Sequence, residues 1–337
     1  MLNESEYISS FTTGFREIAT RAFPALLPGA DVLRVYDGLI YYSYLGSHMN
    51  INSVPCFNNS YCVLRFFEGK SLSFPRMVKE IESRELRYPV PKGTFRVRFS
   101  KGNQFAGVDR QLSLRAESAV AKSSHLKLDR LNPATELWYV IRDEGFGFYG
   151  QLLRKRALTE KNLQPGELRP EFAYLMCLCG QPTKQSVILD PFAGYGAIPA
   201  QIARHFQFEK LYASDIDPDK ARALKKALPA NVRIFREDAL RLAGITDRSI
   251  DLIITDPPWG YYEQIGDIAL FYEAMLKAFG RVLRQDGKIV LLSARKEEFT
   301  QAIEKTGIFA IETTIHTLVN GKKAGVYMLS FEREVIT

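Results

Sequence analysis

Cysteine is scarce in this chain of 337 residues, and long apolar runs are lacking. The four cysteines, Cys56, Cys62, Cys177 and Cys179, are too few for a disulfide scaffold and are not spaced as zinc ligands, so we expect them to pack as small apolar side chains. No uncharged run approaches the roughly 20 residues that span a bilayer. Acids stand near the start where a secretory signal would be basic. We therefore predict a cytoplasmic protein with no membrane segment and no metal site.

Positive charge is distributed unevenly between the two halves. The composition, 46% hydrophobic and 25% charged, indicates two or three globular domains and excludes a disordered chain. Residues 1–170 contain 24 Lys and Arg against 17 Asp and Glu, whereas residues 171–337 contain 21 of each. The whole net charge of +7 therefore lies in the first half. This favours a polyanionic partner for that half, although an ordinary surface can carry the same excess.

In the second half, short β-branched runs alternate with helical stretches at the spacing of βαβ units. An Asn320-Gly321 turn between the last two extended runs predicts a hairpin. The pattern predicts an α/β domain with a seven-stranded sheet, one strand of which is reversed. The predicted strands cover 186–190, 210–215, 232–235, 251–255, 288–292, 309–319 and 324–331, and the predicted helices cover 197–206, 218–228, 269–283 and 297–305.

The first half lacks this rhythm and reads as α+β. Two small subdomains are predicted to meet near residue 60, and the polar stretch from Lys155 to Gly166 is interpreted as a linker. The predicted helices cover 7–23, 74–85 and 113–123, and the predicted strands cover 31–45, 61–67, 94–99, 137–142 and 146–153.

The first motif that carries chemistry is Asp190-Pro-Phe-Ala-Gly-Tyr-Gly196, between a predicted strand and a predicted helix. Gly194 and Gly196 allow a tight turn and close approach of a ligand to the backbone. The carboxyl edge of an α/β sheet is also where nucleotides bind. Alone, the motif is also compatible with a plain tight turn or with a dinucleotide fingerprint, although Pro199 stands in the place of the third glycine of that fingerprint.

Acidic residues follow the next two strands. Asp215 ends the second strand, 19 residues beyond Gly196, where a carboxylate can accept both ribose hydroxyls of an adenosine. Asp217 is the alternative acceptor, or an N-cap for the helix that begins at Pro218. Asp238 follows the third strand and is interpreted either as an acceptor for an adenine amino group or as the cap of a short helix that begins at Ala239.

The fourth motif, Asp256-Pro-Pro-Trp259, follows the fourth strand. An exocyclic amino group is a poor nucleophile because its lone pair is delocalised into the base. Hydrogen bonds to Asp256 and to the Pro257 carbonyl would localise that lone pair and stabilise the positive charge that develops on nitrogen. Trp259 would stack on a base turned out of its helix. The alternative, a strand terminator followed by a core tryptophan, is disfavoured by the three preceding motifs.

These four motifs resemble motifs I to IV of the class I S-adenosylmethionine-dependent amino methyltransferases. Arg169-Pro-Glu-Phe-Ala-Tyr-Leu-Met176, ahead of Asp190, is similar to the THUMP-domain RNA methyltransferases that make N2-methylguanosine in tRNA. The resemblance implies a ferredoxin-like subdomain at 1–60, a THUMP-like RNA-binding domain at 61–157, a linker with a helix at 158–179 and a Rossmann-like methyltransferase domain at 180–337.

The resemblance also implies a set of site residues, with S-adenosylmethionine as cofactor and tRNA or another structured RNA as partner. The implied catalytic residues are Asp256, Pro257, Pro258 and Trp259. The implied cofactor-binding residues are Asp190, Phe192, Ala193, Gly194, Gly196, Asp215, Ile216, Asp238, Ala239 and Asp256. The implied RNA-binding residues are Arg154, Lys155 and Arg156.

The chain departs from this family at two places. It has Ala193-Gly-Tyr-Gly-Ala197 where Cys-Gly-Ser-Gly-Thr is common, and Trp259 where a tyrosine is usual. The retained glycines predict that cofactor binding persists. Two other functions fit the same residues: an adenine-N6 methyltransferase acting on RNA or DNA, and a catalytically silent RNA-binding protein. A monomer is the default expectation.

Overall fold

The computed structural model describes residues 5–69, 71–90, 92–154, 163–260 and 266–332. The chain divides into two compact units. The first unit comprises residues 1–11 and 23–156, and the second comprises residues 12–22 and 157–337. No helix within the described ranges is long and apolar enough to cross a membrane. All four cysteines are free thiols in the interior, as expected for apolar packers.

The elements up to residue 154 are mainly strands. In chain order they are β1 (Ser5–Ser10), α1 (Arg16–Leu26), β2 (Ala30–Tyr36), β3 (Leu39–Tyr44), α2 (His48–Ser53), β4 (Ser60–Glu68), α3 (Phe74–Glu82), β5 (Thr94–Lys101), β6 (Gln104–Phe105), α4 (Arg110–Ser123), β7 (Lys127–Leu128), β8 (Thr135–Ile141) and β9 (Phe146–Arg154).

Strands and helices alternate in the remainder. They are α5 (Pro170–Gly180), β10 (Val187–Asp190), α6 (Ala197–His205), β11 (Lys210–Asp215), α7 (Pro218–Ala227), β12 (Val232–Arg236), β13 (Ile250–Thr255), α8 (Ile268–Val282), β14 (Leu283–Ser293), α9 (Lys296–Thr306), β15 (Phe309–Val319) and β16 (Lys322–Phe331).

A single sheet organises the first unit. Among the described residues it has nine strands in the order β2-β3-β1-β4-β9-β8-β5-β6, and β7 pairs with β5. Apolar residues of α3 and α4 pack on one face, against residues such as Phe95, Leu137 and Tyr139. Because β4 begins at Ser60 and joins β1 to β9, the residues assigned to the ferredoxin-like and THUMP-like subdomains share this sheet. The division into those subdomains remains a prediction.

The predicted helix over residues 7–23 is wrong for its first part. Residues 5–10 form β1, which pairs with β3 on one side and β4 on the other, and α1 begins only at Arg16. Tyr7, for example, lies opposite both Tyr42 and Cys62. Such pairing satisfies the backbone groups of β1 on both sides, and these long-range contacts decide the conformation of residues 5–10. The predicted strand 31–45 is likewise two strands, separated by a turn at Gly38 with a φ of 83°.

The second unit has the predicted fold. Seven strands of the described chain form a sheet in the order β12-β11-β10-β13-β14-β16-β15. Neighbouring strands from β12 to β14 are parallel, and β16 is antiparallel to both β14 and β15. This is the α/β sheet with one reversed strand that the sequence predicts. The chain leaves β10 towards β11 and later returns to β13 on its other side, so the order reverses at β10.

Residues 12–22 also belong to the second unit, although they are distant from it in sequence. The Thr317 hydroxyl on β15 donates a hydrogen bond of 2.8 Å to the carbonyl oxygen of Thr13. Phe15 is fully buried and makes an edge contact with Phe172 of α5, with ring centroids 5.4 Å apart. The amino-terminal segment is thus part of the packing of this unit.

Candidate active site

A cavity of about 570 Å³ opens at the carboxyl edge of the second unit's sheet, where the strand order reverses. Crevices at such a reversal are the usual ligand sites of open α/β sheets. All the predicted catalytic residues line it, as do nine of the ten predicted cofactor residues, the exception being Gly196. These are Asp190, Phe192, Ala193, Gly194, Asp215, Ile216, Asp238, Ala239, Asp256, Pro257, Pro258 and Trp259.

The two glycines of the first motif serve different purposes. Both have positive φ angles, 54° at Gly194 and 93° at Gly196. Apart from its chain neighbours, no residue has an atom within 4 Å of a Cβ placed on Gly194, which lines the cavity. A Cβ on Gly196 would come within 3.0 Å of a Leu224 methyl on α7. Close approach of a ligand therefore explains Gly194, whereas Gly196 is explained by helix packing.

Asp215 ties the glycine loop to the end of β11. Its carboxylate accepts hydrogen bonds from the backbone N–H groups of Gly194, at 3.0 Å, and of Asp217, at 2.9 Å. Since a carboxylate has about four acceptor positions, two remain for a ligand at the cavity wall. Asp217 caps α7 instead, because its side chain accepts from the N–H of Asp219 at 2.8 Å. The geometry thus favours Asp215 over Asp217 as the hydroxyl acceptor.

Asp238 makes a capping contact, as one of its two sequence interpretations predicts. Its Oδ1 accepts from the N–H of Leu240 at 2.9 Å, in a turn where no regular helix is formed. Glu237 holds the same loop through the N–H of Gly244 at 2.8 Å. Asp238 nevertheless borders the cavity and is only partly covered, so the cap and a ligand contact are compatible.

Asp190 is buried at the end of β10 and connects it to β13. Its Oδ1 accepts hydrogen bonds from the Thr255 hydroxyl at 2.7 Å and from the Phe192 N–H at 3.3 Å. Burial raises the pKa of Asp190 to about 7, an effect that these two hydrogen bonds oppose and the nearby charge of Asp215 reinforces. The side chain therefore positions the ends of two strands that border the cavity.

The Asp256-Pro-Pro-Trp259 segment directly follows β13 and forms part of the cavity wall. Pro257 is buried, and the other three residues are partly exposed. The carbonyl oxygen of Trp259 accepts a hydrogen bond of 2.8 Å from Nε of Arg295, which follows β14. The Arg295 N–H in turn donates to the Ser293 hydroxyl at 2.9 Å. Two neighbouring strand ends thus hold this segment in place.

The sequence interpretation missed several residues at the site. Arg295 is one, and its only signal is its place just after a buried strand at the same sheet edge. The segment Pro165–Leu168, interpreted as linker, also lines the cavity, as do Asn320 and Lys322 at the tip of the β15–β16 hairpin. The Asn-Gly turn predicts the hairpin correctly but carries no information on what its tip approaches.

The described lining of the cavity is strongly acidic. It contains seven carboxylates and two lysines, Lys220 and Lys322. The acids are Glu167, Asp190, Asp215, Asp217, Glu237, Asp238 and Asp256. Such a lining favours a ligand that carries positive charge, because low-dielectric walls strengthen the attraction.

The predicted RNA-binding residues fall largely outside the described part of the chain. Arg154 is the last residue of β9, but its side chain is not described, and Lys155 and Arg156 lie outside the described residues. Their role remains a prediction.

Comparison with known proteins shows that the second unit is similar to a family of methyltransferase domains. The family described as UPF0020, RMKL-like, methyltransferase domain, matches residues 157–324. The structure of TrmN from Thermus thermophilus superposes with a TM-score of 0.80 at 20% identity, covering 97% of this chain and 100% of that one. The predicted class I methyltransferase fold is thereby confirmed.

Two curated relatives are RNA methyltransferases by name. The tRNA (guanine(6)-N(2))-methyltransferase THUMP3 of Bos taurus is 28% identical over 230 residues, which cover 60% of this chain and 44% of the relative. The tRNA (guanine(6)-N2)-methyltransferase of Archaeoglobus fulgidus is 27% identical over 152 residues, covering 36% of this chain and 38% of the relative. The aligned regions thus cover less than half of either relative.

Proposed function

Because residues 157–324 are a UPF0020, RMKL-like methyltransferase domain, we propose that the protein methylates the exocyclic amino group, N2, of a guanosine in tRNA. S-adenosylmethionine is the methyl donor. The observation that carries the proposal is the convergence of Asp215, Asp238 and the Asp256–Trp259 segment on one acidic cavity.

The residues present fit this cofactor. S-adenosylmethionine carries a sulfonium and an ammonium cation, which suit a lining of seven carboxylates. The cavity, at about 570 Å³, lies within the range of small-molecule sites. The two acceptor positions left on Asp215 suit the ribose hydroxyls, and the open space above Gly194 permits close approach to the backbone. Asp238 and the loop after it would hold the adenine.

The Asp256 segment would hold the nucleophile. The target amino group donates to the Asp256 carboxylate and to the Pro257 carbonyl, which concentrates its lone pair and offsets the positive charge that grows on nitrogen. Trp259 offers an aromatic face for the base, held by the Arg295 contact to its carbonyl. The cofactor would supply the methyl group for a direct in-line displacement, in which the N–C bond forms as the C–S bond breaks and S-adenosylhomocysteine leaves. The surplus proton on nitrogen would pass by way of the Asp256 carboxylate to solvent, and the main contribution of the chain would be orientation.

The first unit would bind the body of the RNA. Its charge excess suits a phosphate backbone, and Arg154 ends β9, with Lys155 and Arg156 next in the sequence. Replacing Arg154 and Arg156 together by Ala should flatten the dependence of log affinity on log salt by one to two units, by about 0.7 to 0.9 per contact. An unaltered slope would assign these residues to a solvated linker.

The decisive experiment is single-turnover methylation with saturating cofactor and unmodified tRNA. Asp256→Asn keeps the size of the side chain and one acceptor oxygen but loses the charge that opposes the developing cation. Its rate should fall by about 10² to 10³, with nearly normal binding of cofactor and tRNA. Trp259→Ala should also weaken RNA binding, because a stacked base is worth about 1 to 3 kcal/mol. Near-normal turnover by Asp256→Asn would refute the assignment.

Nucleoside mass spectrometry of the reacted tRNA separates the candidate functions. N2-methylguanosine supports the proposal, and N6-methyladenosine would replace it with the adenine enzyme that the same motif serves. Absence of both products, together with intact RNA binding and no uptake of S-adenosylmethionine by calorimetry, would indicate a silent RNA-binding protein.

A further inference from the structure

A large aromatic ring is exposed on the first unit beside an arginine. Phe105 on β6 is 72% exposed. Its ring lies 5.5 Å from that of Trp138 on β8, centroid to centroid, at an interplanar angle of 34°. The guanidinium carbon of Arg98 on β5 lies 5.4 Å from the Phe105 centroid. We refer to Arg98, Phe105 and Trp138 as the aromatic platform.

Strand register places these three side chains together. The two-residue turn Gly102-Asn103, with φ angles of 55° and 66°, reverses the chain between β5 and β6, so that Phe105 lies opposite Ser100. Arg98 lies opposite Trp138 in the parallel pair of β5 and β8. Because side chains alternate along a strand, positions 98 and 100 point to the same face, away from the helix-covered face that receives Phe99.

Ion pairing holds the tryptophan of the platform in place. The indole N–H of Trp138 donates to Oε2 of Glu136 at 2.9 Å. The Arg96 guanidinium is hydrogen-bonded to the other oxygen of Glu136, with Nε at 3.1 Å. On its other side, Trp138 makes an edge contact with Tyr61, with centroids 6.0 Å apart. A side chain fixed in this way loses little entropy when another ring stacks nearby.

Arg98 lacks the acidic partner that neutralises Arg96 among the described residues. Within the described ranges Arg98 forms no ion pair, and its buried Nε has no hydrogen-bond partner, whereas Arg96 is paired with Glu136. The surrounding sequence is basic as well, since residues 92–110 contain five Lys or Arg and one acidic residue. An exposed ring in a positive setting suits an anion that carries its own aromatic system.

We propose that the aromatic platform binds an unpaired nucleotide of the RNA substrate, with the base stacked on Phe105 and a phosphate at Arg98. The inference rests on the proposed action on RNA and adds to it a site on the first unit. Phe105 leaves 72% of its surface in water, so its ring is accessible to a base, and it stands beside an arginine that has no acidic partner among the described residues. Stacking on exposed aromatic rings beside arginines is how unpaired nucleic acid is commonly held.

The two contacts make separable predictions for binding. Stacking tolerates salt, whereas a phosphate contact releases counterions and contributes about 0.7 to the slope of log affinity against log salt on single strands. Phe105→Ala should therefore weaken RNA binding about tenfold at every salt concentration, with an unchanged slope. Arg98→Ala should weaken binding and also flatten the slope by about 0.7.

The experiment measures fluorescence anisotropy of labelled, unmodified tRNA from 50 to 300 mM salt with the full chain. Phe105→Tyr retains a ring and should bind like the wild type. Leu131→Ala is the matched control, because Leu131 is 84% exposed on the same unit but lacks a ring. It should leave binding unchanged.

The outcomes separate this inference from the proposed function. If the wild type binds and methylates tRNA while Phe105→Ala binds as tightly as Leu131→Ala, the platform assignment is wrong and the function stands. If light scattering shows that the wild type self-associates through Phe105 and RNA binding is unaffected, the surface is a protein interface and the inference also fails. A wild type that neither binds nor methylates RNA refutes the function itself.

Discussion

Nε of Arg295 lies 2.8 Å from the carbonyl oxygen of Trp259, to which it donates a hydrogen bond. The donor comes from the end of β14 and the acceptor from the segment after β13, so neighbouring strands fix the backbone beside the proposed nucleophile. The contact holds the backbone of Trp259 and so fixes the position of its ring against the target base. This matters for the rate, because small displacements of reacting groups slow the reaction strongly. Arg295 is accordingly a positioning residue.

Arg295→Met keeps much of the length of the side chain and removes the donor. Loss of a hydrogen bond from a charged group costs about 1.5 to 3 kcal/mol, so we expect the single-turnover rate to fall at least tenfold. Cofactor affinity, measured by calorimetry, should be unchanged. Glu298→Gln is the control, since it removes only the partly exposed contact of Arg295 with Glu298, at 3.5 Å. Equal losses in both variants would contradict the positioning role.

Asp215 and Asp217 should separate cofactor binding from stability. Asp215→Ala removes acceptors for the ribose and for the Gly194 N–H, so cofactor affinity should fall at least tenfold. Asp217→Ala removes the cap of α7 and should cost about 1 kcal/mol of unfolding free energy while leaving affinity nearly intact. Calorimetry and urea unfolding measure the two effects. Loss of affinity in Asp217→Ala alone would reverse the assignment.

The buried Asp190 should make stability fall as pH rises. Its pKa of about 7 lies above the ordinary value, so between about pH 4 and 7 the folded state retains a proton that the unfolded chain has lost. The unfolding free energy should decrease across this window, by up to about 1.4 kcal/mol per pH unit from this group, and level off above pH 7.

Asp190→Asn isolates that contribution. The amide retains an acceptor for the Thr255 hydroxyl and the Phe192 N–H but cannot ionise. Urea unfolding of both proteins at several pH values should show a flatter decline for the variant between pH 4 and 7. Parallel curves would mean that Asp190 titrates at its ordinary pKa in the folded protein.

The two loop glycines should differ in their tolerance of alanine. Gly194→Ala should lower the unfolding free energy by about 1 to 2 kcal/mol, which is the strain of a left-handed backbone conformation. Backbone strain is the whole cost here, because the added Cβ meets no atom within 4 Å. Gly196→Ala carries the same strain and also presses on Leu224 at 3.0 Å, so it should cost more. Thermal unfolding of the two variants provides the comparison. A smaller loss for Gly196→Ala would show that Leu224 moves aside freely.

The sequence by itself determined the framework of the second unit and the order of its motifs. Buried strands such as 210–215, and a helix that begins at Pro218, are specified by local composition and by proline geometry. Parallel strands all end at the same edge of the sheet. Residues at or just after those ends, such as Asp215 and Asp256, therefore lie near one another at that edge. The sequence alone therefore predicted the part of the cavity lining that follows the strands, but not the part contributed by residues 165–168 and by the β15–β16 hairpin.

Only the tertiary structure decided the features that depend on partners distant in the chain. Residues 5–10 became a strand because β3 and β4 flank them, and Thr13 joined the second unit through Thr317, 304 residues away. Arg295 reached Trp259, and Phe105 reached Arg98, through strand register. The local sequence pattern indicates whether a segment favours a helix or a strand and which of its faces is apolar. Which distant segment completes the pairing is selected by the free energy of the assembled fold.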